Sequence, residues 1–236
     1  MKNFADFAWK SFMNPKLFIV STPIGNYDDI TLRALEILKS VGFIICEEFK
    51  EASRLLSHFQ IKKELISLNE HNEEESSQEI FNRIKSGSSA ALISDCGTPL
   101  FSDPGTLLVQ MCITAKIDVV PLPGANSLLP ALVGSGFKLD KFYYAGWLSP
   151  KSDLRKKELL RLKSIKELIV LMETPYRLKT ILTDISKIFG ADIQIVVAFD
   201  LTLPTEKFFR GSCSNILKIV SEKNLKGEFV ILIDNG

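Results

Sequence analysis

Asp95 and Asp103, with the glycines and prolines around them, are the densest group of residues that could hold a ligand in this chain. They lie in Leu92-Ile-Ser-Asp-Cys-Gly-Thr-Pro-Leu-Phe-Ser-Asp-Pro-Gly105. An apolar run, Ala90 to Ile93, stops at the acid, and continuous apolar sequence of this kind reads as a strand covered on both faces. Asp103 is then expected as the N-cap of a helix, with Pro104 at its first position. Asp95, Gly97 and Thr98 fall in a loop at the carboxyl end of a strand, where open α/β sheets hold ligands. Taken alone, the segment also reads as an ordinary strand-to-helix turn.

Other strand ends carry residues of the same kind. Ser21-Thr-Pro-Ile-Gly-Asn26 follows the first strand and Glu47-Glu48 the second. Pro121-Leu-Pro-Gly-Ala-Asn-Ser127 closes the fifth, and in the second half Glu173-Thr-Pro175 and Asp200 end strands. If the strands run parallel, such loops converge on one edge of a sheet. His71, in Asn69-Glu-His-Asn-Glu73, follows a strand and could line the same cleft or simply belong to a helix start. Several site types are excluded. There is no G-x-x-x-x-G-K-[ST], no G-x-G-x-x-G at the first helix and no G-x-S-x-G. His58 and His71 make no metal pair, and no metal is expected. Cys46, Cys96, Cys112 and Cys213 are widely spaced, which fits reduced thiols in a cytoplasmic protein.

The elements that would position these loops alternate. Strands are expected at Leu17–Ser21, Phe43–Cys46, Leu65–Leu68, Ala90–Ser94 and Asp118–Leu122. Between them, apolar residues at helical spacing mark Asp29–Ser40, Glu51–Phe59, Glu73–Lys85 and Pro104–Ala115, which argues for βαβ units and a mainly parallel sheet. A helix over Asn126–Val133 is expected to stop at Gly134-Ser-Gly136. Phe142–Leu148 begins a second series: helix 151–163, Leu168–Met172, helix 175–189, Ile193–Phe199, Lys207–Gly211, helix 213–222 and Glu228–Ile233. Its less regular crossovers predict a mixed sheet. The expected plan is two α/β domains, 17–138 and 139–236, after an N-terminal extension of residues 1–16. The linker falls near Gly134–Lys141, and the cleft between the domains is the natural ligand site.

Bulk properties agree. The 236 residues are 46% hydrophobic and 24% charged, with a net charge of +1, so no global field draws the chain to a polyanion or a membrane. No apolar run approaches the ~20 residues that span a bilayer. The N-terminal Phe4, Phe7, Trp9 and Phe12 are interrupted by Asp6 and Lys10, which suits an amphipathic arm or a tail rather than a signal peptide. The run Lys151-Ser-Asp-Leu-Arg-Lys-Lys157, continued by Arg161, Lys163 and Lys166, would form a basic helical stripe suited to phosphates, or a solvated face.

Together the motifs resemble a known family. Thr22-Pro-Ile-Gly-Asn26 with Asp29-Ile-Thr31 and Arg33-Ala34, and His71-Asn72-Glu73, match its first signatures. Ser94-Asp95-x-Gly97-Thr98-Pro99 with Asp103-Pro104-Gly105, and Pro121-Leu-Pro-Gly124, match the next. Gly146-Trp-Leu with Pro150-Lys151, Glu173-x-Pro175-x-Arg177 and Lys226-Gly-Glu228 extend the match through the second half. The chain resembles the tetrapyrrole-methylase-like (class III) methyltransferases from about Leu17 to Asp234. Within them it is most similar to the branch that methylates a cytidine 2′-hydroxyl in 16S rRNA.

The resemblance implies S-adenosyl-L-methionine bound in the cleft, a homodimer, and 16S rRNA or the small ribosomal subunit as partner. It implies backbone contacts from Pro23, Ile24 and Gly25, and Asp95, Gly97, Thr98 and Asp103 on the amino-acid end and ribose. Ala125, Asn126 and Ser127 would flank the adenine, with Met172 and Lys226, Gly227 and Glu228 completing the pocket. A sulfonium cation with a charged tail suits backbone groups and acids. A ribose hydroxyl benefits from a proton acceptor, for which Glu173 is the first candidate and Asp200, Glu206 and His71 are others; Glu173 also reads as a salt-bridge partner of Arg177, four residues on, or as a helix cap. Lys50, Lys151, Arg155 and Arg177 are the cations expected to meet the substrate. The match also departs from the pattern. Glu47-Glu48-Phe49-Lys50 replaces Glu-Asp-Thr-Arg, Thr174-Pro175-Tyr176-Arg177 replaces Ser-Pro-His-Arg, and Ala198-Phe199-Asp200-Leu201-Thr202-Leu203 replaces Ala-Arg-Glu-Leu-Thr-Lys. These changes remove charge where substrate contacts are expected. The alternatives they keep open are a methyltransferase with a small-molecule substrate such as a tetrapyrrole, and a cofactor-binding RNA-associated protein without catalysis.

Overall fold

The structure is a computed structural model that describes residues 14–101, 103–223 and 225–236. The aromatic arm expected in residues 1–14 thus falls almost wholly outside the described residues. The chain divides into two compact units, Met1–Asn126 and Ser127–Gly236.

The first unit is built on five parallel strands: β1 (Lys16–Val20), β2 (Phe43–Cys46), β3 (Glu64–Ser67), β4 (Ala90–Ile93) and β5 (Asp118–Leu122), in the order β3-β2-β4-β1-β5. Helices α1 (Leu32–Ser40), α2 (Phe49–His58), α3 (Glu73–Lys85) and α4 (Thr106–Thr114) connect them. The inner strands β2 and β4 are apolar throughout, and β1 is so after Lys16, because both of their faces are covered. Phe18, Val20, Ile44 and Ile93 pack against Ala34, Leu38, Leu55 and Leu56 of α1 and α2. Their neighbours Leu17, Ile19, Phe43, Ile45 and Leu92 pack against Ile80, Ile84, Leu108 and Cys112 of α3 and α4. Each such side chain contributes about 1.5–3 kcal/mol by leaving water. The chain passes from β1 across β4 to reach β2, and from β4 across β1 to reach β5. The crossovers therefore diverge at the β1–β4 pair, whose carboxyl ends form a topological switch point. Helix α1 starts later than the sequence suggested. A 3-10 turn occupies Tyr27–Asp29, and Thr31 caps α1 by accepting from Ala34 N at 3.1 Å.

The second unit begins with α5 (Leu128–Ser135). Its sheet contains β6 (Phe142–Trp147), β7 (Leu168–Glu173), β8 (Gln194–Phe199), β9 (Lys207–Ser212) and β10 (Phe229–Ile233), in the order β6-β7-β10-β8-β9. Only β6 and β7 are parallel, so the sheet is mixed as expected. Helices α6 (Ser152–Leu162), α7 (Leu178–Phe189) and α8 (Cys213–Lys223) cover the face that carries Ile169, Leu171, Ile195, Val197 and Ile231.

Helix α5 corrects the expected division at 138/139, since it packs against β8, β9 and β10 and belongs to the second unit. Gly134, read from sequence as part of a helix stop, lies inside this helix. A Cβ there would sit 2.2 Å from Phe208 Cζ, so only glycine lets α5 approach β9. Arg210 donates to the carbonyls of Gly134 and Ser135 and lies over the Phe208 ring, and the helix stops at Gly136, whose φ is +82°. Among the described residues no helix is long and apolar enough to cross a membrane, and no group of three or more His, Cys, Asp or Glu could hold a metal ion.

Candidate active site

Parallel pairing brings the first unit's candidate residues to one edge, beyond Val20, Cys46, Ile93 and Leu122. The loops after β1 and β4 are joined by an antiparallel bridge. Thr22 N donates to Gly97 O at 2.8 Å and Gly97 N to Thr22 O at 3.1 Å. Thr22 Oγ1 also donates to Ser94 O at 3.1 Å. Ser21 Oγ donates to Leu122 O at 3.2 Å and lies 3.0 Å from Thr98 Oγ1, which donates to Ala125 O at 3.4 Å. Three loops thus form one hydrogen-bonded knot, with Ile24, Asn126 and Asp95 around it. Glycine makes the knot possible. A Cβ on Gly124 would lie 2.7 Å from the Ser21 Cβ, and Gly97 sits at φ +82° with Ile24 Cγ2 3.3 Å from where its Cβ would be. Sequence reasoning missed Ser21, Thr22 and Gly124 as site residues. Their place directly at the ends of two adjacent parallel strands was the available signal.

Acids border this knot. Glu48 N donates to Asp95 Oδ1 at 3.4 Å. Partial burial raises the Asp95 carboxyl above its ordinary range, with Glu48, Glu51 and Asp103 adding to the rise and the Glu48 N–H opposing it. Glu47 is raised by burial and then by Asp95, Asp103, Glu70 and Glu48. Burial raises Asp103, against a hydrogen bond from Ser94. Carboxylates that repel one another in this way favour a cationic ligand. They also load the empty protein. The native state keeps these protons to higher pH than the unfolded chain, so stability falls as pH rises from the ordinary carboxylate range through the raised values. Asp95→Asn is therefore expected to raise the melting temperature of the ligand-free protein at pH 7. The gain should fade as pH falls through the carboxylate range. A melting series from pH 7 to 4 checks this, and a gain that does not depend on pH would refute the electrostatic cause.

Asp103 is not the cap of α4. That helix starts at Thr106 after Gly105, which takes φ +119°. Its first donors are met from elsewhere in the chain: Glu73 Oε1 accepts from Gly105 N at 2.8 Å and Leu107 N at 3.4 Å. Relieved of capping, Asp103 stays half-buried near Ser94. His71 is exposed in a turn closed by backbone donors: its N donates to Asn69 Oδ1 at 3.0 Å, and Asn69 N donates to Asn72 Oδ1 at 2.7 Å. Lys50 is exposed in the first turn of α2. Cys46 is buried and its thiol is pushed up to about 12, while Cys96 is exposed.

In the second unit, β10 starts between the ends of β7 and β8, with Phe229 opposite Glu173 on one side and Phe199 on the other. Asp200 N donates to Glu228 O at 2.8 Å. A Cβ on Gly227 would come within 2.2 Å of Asp200 Oδ1, so the Lys226–Glu228 turn lies directly against that carboxylate. Thr205 Oγ1 donates to Asp200 Oδ2 at 2.9 Å and Thr202 N to Glu206 Oε2 at 2.7 Å. Asp200 and Thr202 take φ of +48° and +69°, conformations that non-glycine residues adopt at a cost and that cluster at functional sites. Glu228 is raised by partial burial and then by Asp200. Met172 Sδ accepts from Tyr144 Oη at 3.3 Å.

Four sequence readings change here, those of Glu173, Arg177, Arg155 and Phe199. Glu173 is 2% exposed; its Oε1 accepts from Thr174 N at 2.8 Å and its Oε2 lies 2.9 Å from Arg177 Nη2. A proton acceptor must reach the proton it takes, so this walled-off carboxylate anchors the turn after β7 instead. Arg177 itself donates to Ser149 O at 2.9 Å, which leaves it only part-exposed for a substrate. Arg155 is 4% exposed and paired with Asp184 at 2.8 Å, so it meets no substrate. Lys151 remains exposed. Phe199, read as a lost surface cation, is a core residue against Phe209 at 6.2 Å between ring centroids.

Comparison with known proteins gives the family and the fold. The family model described as "Tetrapyrrole (Corrin/Porphyrin) Methylases" matches residues 16–217. "Ribosomal RNA small subunit methyltransferase I" of Synechocystis is 41% identical over 217 residues, 92% of this chain and 78% of that protein. The Bacillus subtilis protein of the same name is 40% identical over 220 residues, 93% of this chain and 75% of that one. Among solved structures, a diphthine synthase superposes with a TM-score of 0.72 at 17% identity, covering 92% of this chain and 88% of that one. A cobalt-precorrin-4 methyltransferase of cobalamin biosynthesis follows at 0.67 and 18%, covering 92% and 94%. At those identities the structures show the fold, a parallel and a mixed α/β sheet in one chain. The family match over most of the chain and the two relatives at 40–41% identity decide the rest: this chain belongs to the tetrapyrrole (corrin/porphyrin) methylase family.

Proposed function

We propose that the protein is an S-adenosyl-L-methionine-dependent methyltransferase that methylates the 2′-hydroxyl of a cytidine ribose in 16S rRNA of the small ribosomal subunit, as a cytoplasmic homodimer. One observation carries the reading: relatives 36–41% identical over 92–93% of the chain share the name ribosomal RNA small subunit methyltransferase I. The tetrapyrrole enzymes among the similar structures are only 15–18% identical, so the small-molecule alternative has less behind it.

The residues present fit the cofactor. Gly97 and Gly124 let the three loops of the first unit close on one another, which gathers their backbone groups at one place, and the adjoining acids suit a cation with an ammonium group and ribose hydroxyls. When bound, S-adenosyl-L-methionine supplies an electrophilic methyl group on a sulfonium centre. Pro23, Ile24 and Gly25 hold it through backbone groups, Asp95, Gly97, Thr98 and Asp103 take its polar end, and Ala125, Asn126 and Ser127 flank the adenine. Methyl transfer is an in-line displacement, so orienting acceptor and donor supplies much of the rate. With Glu173 committed to Arg177, we assign acceptance of the ribose hydroxyl proton to Asp200, and the exposed Lys50 and Lys151 are assigned to phosphates.

The test uses small subunits from a strain lacking the gene, incubated with purified protein and labelled methyl donor. A new 2′-O-methyl at a cytidine of 16S rRNA is expected. An unchanged ribose-methylation map with active protein would rule the substrate out.

A further inference from the structure

Tyr176 is 85% exposed, the highest value among the exposed large apolar side chains of the described residues. It sits in the 3-10 turn Pro175–Arg177, directly after β7. Trp147, 48% exposed, ends the neighbouring strand β6 and is paired with Met172 of β7, so both aromatics leave the same edge of the sheet. Nothing in the cofactor reading uses either ring.

The backbone that carries them is firmly tied. Arg177 Nη2 donates to Ser149 O at 2.9 Å, Arg155 Nη1 donates to Pro150 O at 3.0 Å, and Ser149 N donates to Glu158 Oε2 at 2.8 Å. Two guanidinium groups thus hold the loop after β6, one of them reaching it from the turn that bears Tyr176. An aromatic ring on a fixed turn loses little freedom when something stacks on it. Positive charge follows along the loop and helix that Arg177 ties to this turn. Lys151 precedes α6, and Lys156, Lys157 and Arg161 occupy the solvent side of that helix, whose core side is Arg155, Leu159 and Leu162. With a net charge of +1 overall, a polyanion must be met by such a patch. Protein interfaces are poor in lysine at their centres, whereas single-stranded nucleic acid is held by exposed aromatics beside cations.

We infer that Tyr176 is a substrate-positioning residue that stacks on an unpaired base of the RNA, while Lys151, Lys156 and Lys157 meet the flanking phosphates. The inference rests on the reading of the substrate as RNA. It explains why tyrosine in place of the family's histidine at this position is compatible with RNA: the stacking face is kept and the titrating ring nitrogen is given up.

The experiment measures steady-state methylation of small subunits, and of an rRNA fragment, by wild type, Tyr176→Ala, Tyr176→Phe and the pair Lys156→Ala/Lys157→Ala. Cofactor affinity and sedimentation are measured for each. Tyr176→Ala is expected to raise the KM for RNA roughly 5- to 150-fold, the worth of one stacked base, with cofactor affinity unchanged; Tyr176→Phe should restore it. The lysine pair should weaken RNA binding and lower the slope of log K against log salt by about 1–2. A Tyr176→Ala protein with wild-type KM overturns the inference and leaves the proposed function standing. A Tyr176→Ala protein that becomes monomeric from a dimeric wild type also overturns it, by assigning the patch to a second copy. A wild type that neither binds nor methylates RNA overturns the proposed function first, and the inference with it.

Discussion

Arg155→Ala is expected to lower the stability of the second unit by about 3–5 kcal/mol, the cost of stripping one partner from a buried ion pair. Arg155 and Asp184 are both nearly inaccessible, with Nε and Oδ2 2.8 Å apart. The guanidinium also serves the carbonyls of Ser149 and Pro150. Alanine would leave a buried carboxylate without a counter-charge and two carbonyls short of a donor. Native domains are stable by only about 5–15 kcal/mol, so the urea midpoint should move far, with the slope of the transition retained. Arg155→Met combined with Asp184→Leu should recover most of the loss, because an apolar pair of similar volume avoids desolvating two charges. It should not restore the hydrogen bonds to the loop after β6. A single Arg155→Ala change of under about 0.5 kcal/mol, the range of ordinary surface substitutions, would show that the pair is not buried in solution.

The same arginine illustrates how much was legible in the sequence. The alternation of strands and helices, the parallel first sheet and the mixed second one follow from local apolar patterning, and the structure bears them out. Patterning in one dimension also held the warning about Arg155. Arg155, Leu159 and Leu162 lie at i, i+4 and i+7, the stripe a helix turns to its core; counting the arginine with its basic neighbours hid that. Other features depend on partners distant in sequence. Asp103 looked like the cap of α4 because local rules place an acid there, but Glu73, 32 residues earlier, takes the donor of Gly105. Gly134 looked like a helix stop, and its reason is the ring of Phe208 on β9. Glu173 at a strand end read as a proton acceptor or as the partner of Arg177 at i+4, and burial decides for the pair. The loops of the candidate site were readable because glycine and acid at strand ends are a local signal. The knot joining them through Ser21, Thr22 and Gly124 is a property of the strand order: their place at strand ends was local, but which strands are neighbours was not.

Asp200→Asn is expected to lower kcat by roughly 10²–10⁴-fold, the usual worth of a positioned proton acceptor, with cofactor affinity retained. Asparagine is the discriminating replacement. It keeps the size of the side chain, it can still accept from Thr205 through its amide oxygen, and it tolerates the left-handed backbone that Asp200 adopts at φ +48°. The turn should therefore survive while the ability to take a proton is lost. Glu228 reports on the change independently. Its carboxyl is raised by partial burial and by the neighbouring Asp200 charge, so removing that charge should move its titration down toward the ordinary carboxylate range. NMR titration of Glu228 against pH, beside single-turnover methyl transfer to RNA, separates the two roles of the acid. A downward shift with a large loss of rate fits proton acceptance. A downward shift with wild-type rate would make Asp200 a structural acid that fixes the turn through Thr205 and Gly227, and proton removal would then fall to solvent. A strained backbone, a glycine with no room for a Cβ and a second carboxyl held above its ordinary range all converge on one side chain at the end of β8, so the rate of methyl transfer is what decides between the two roles.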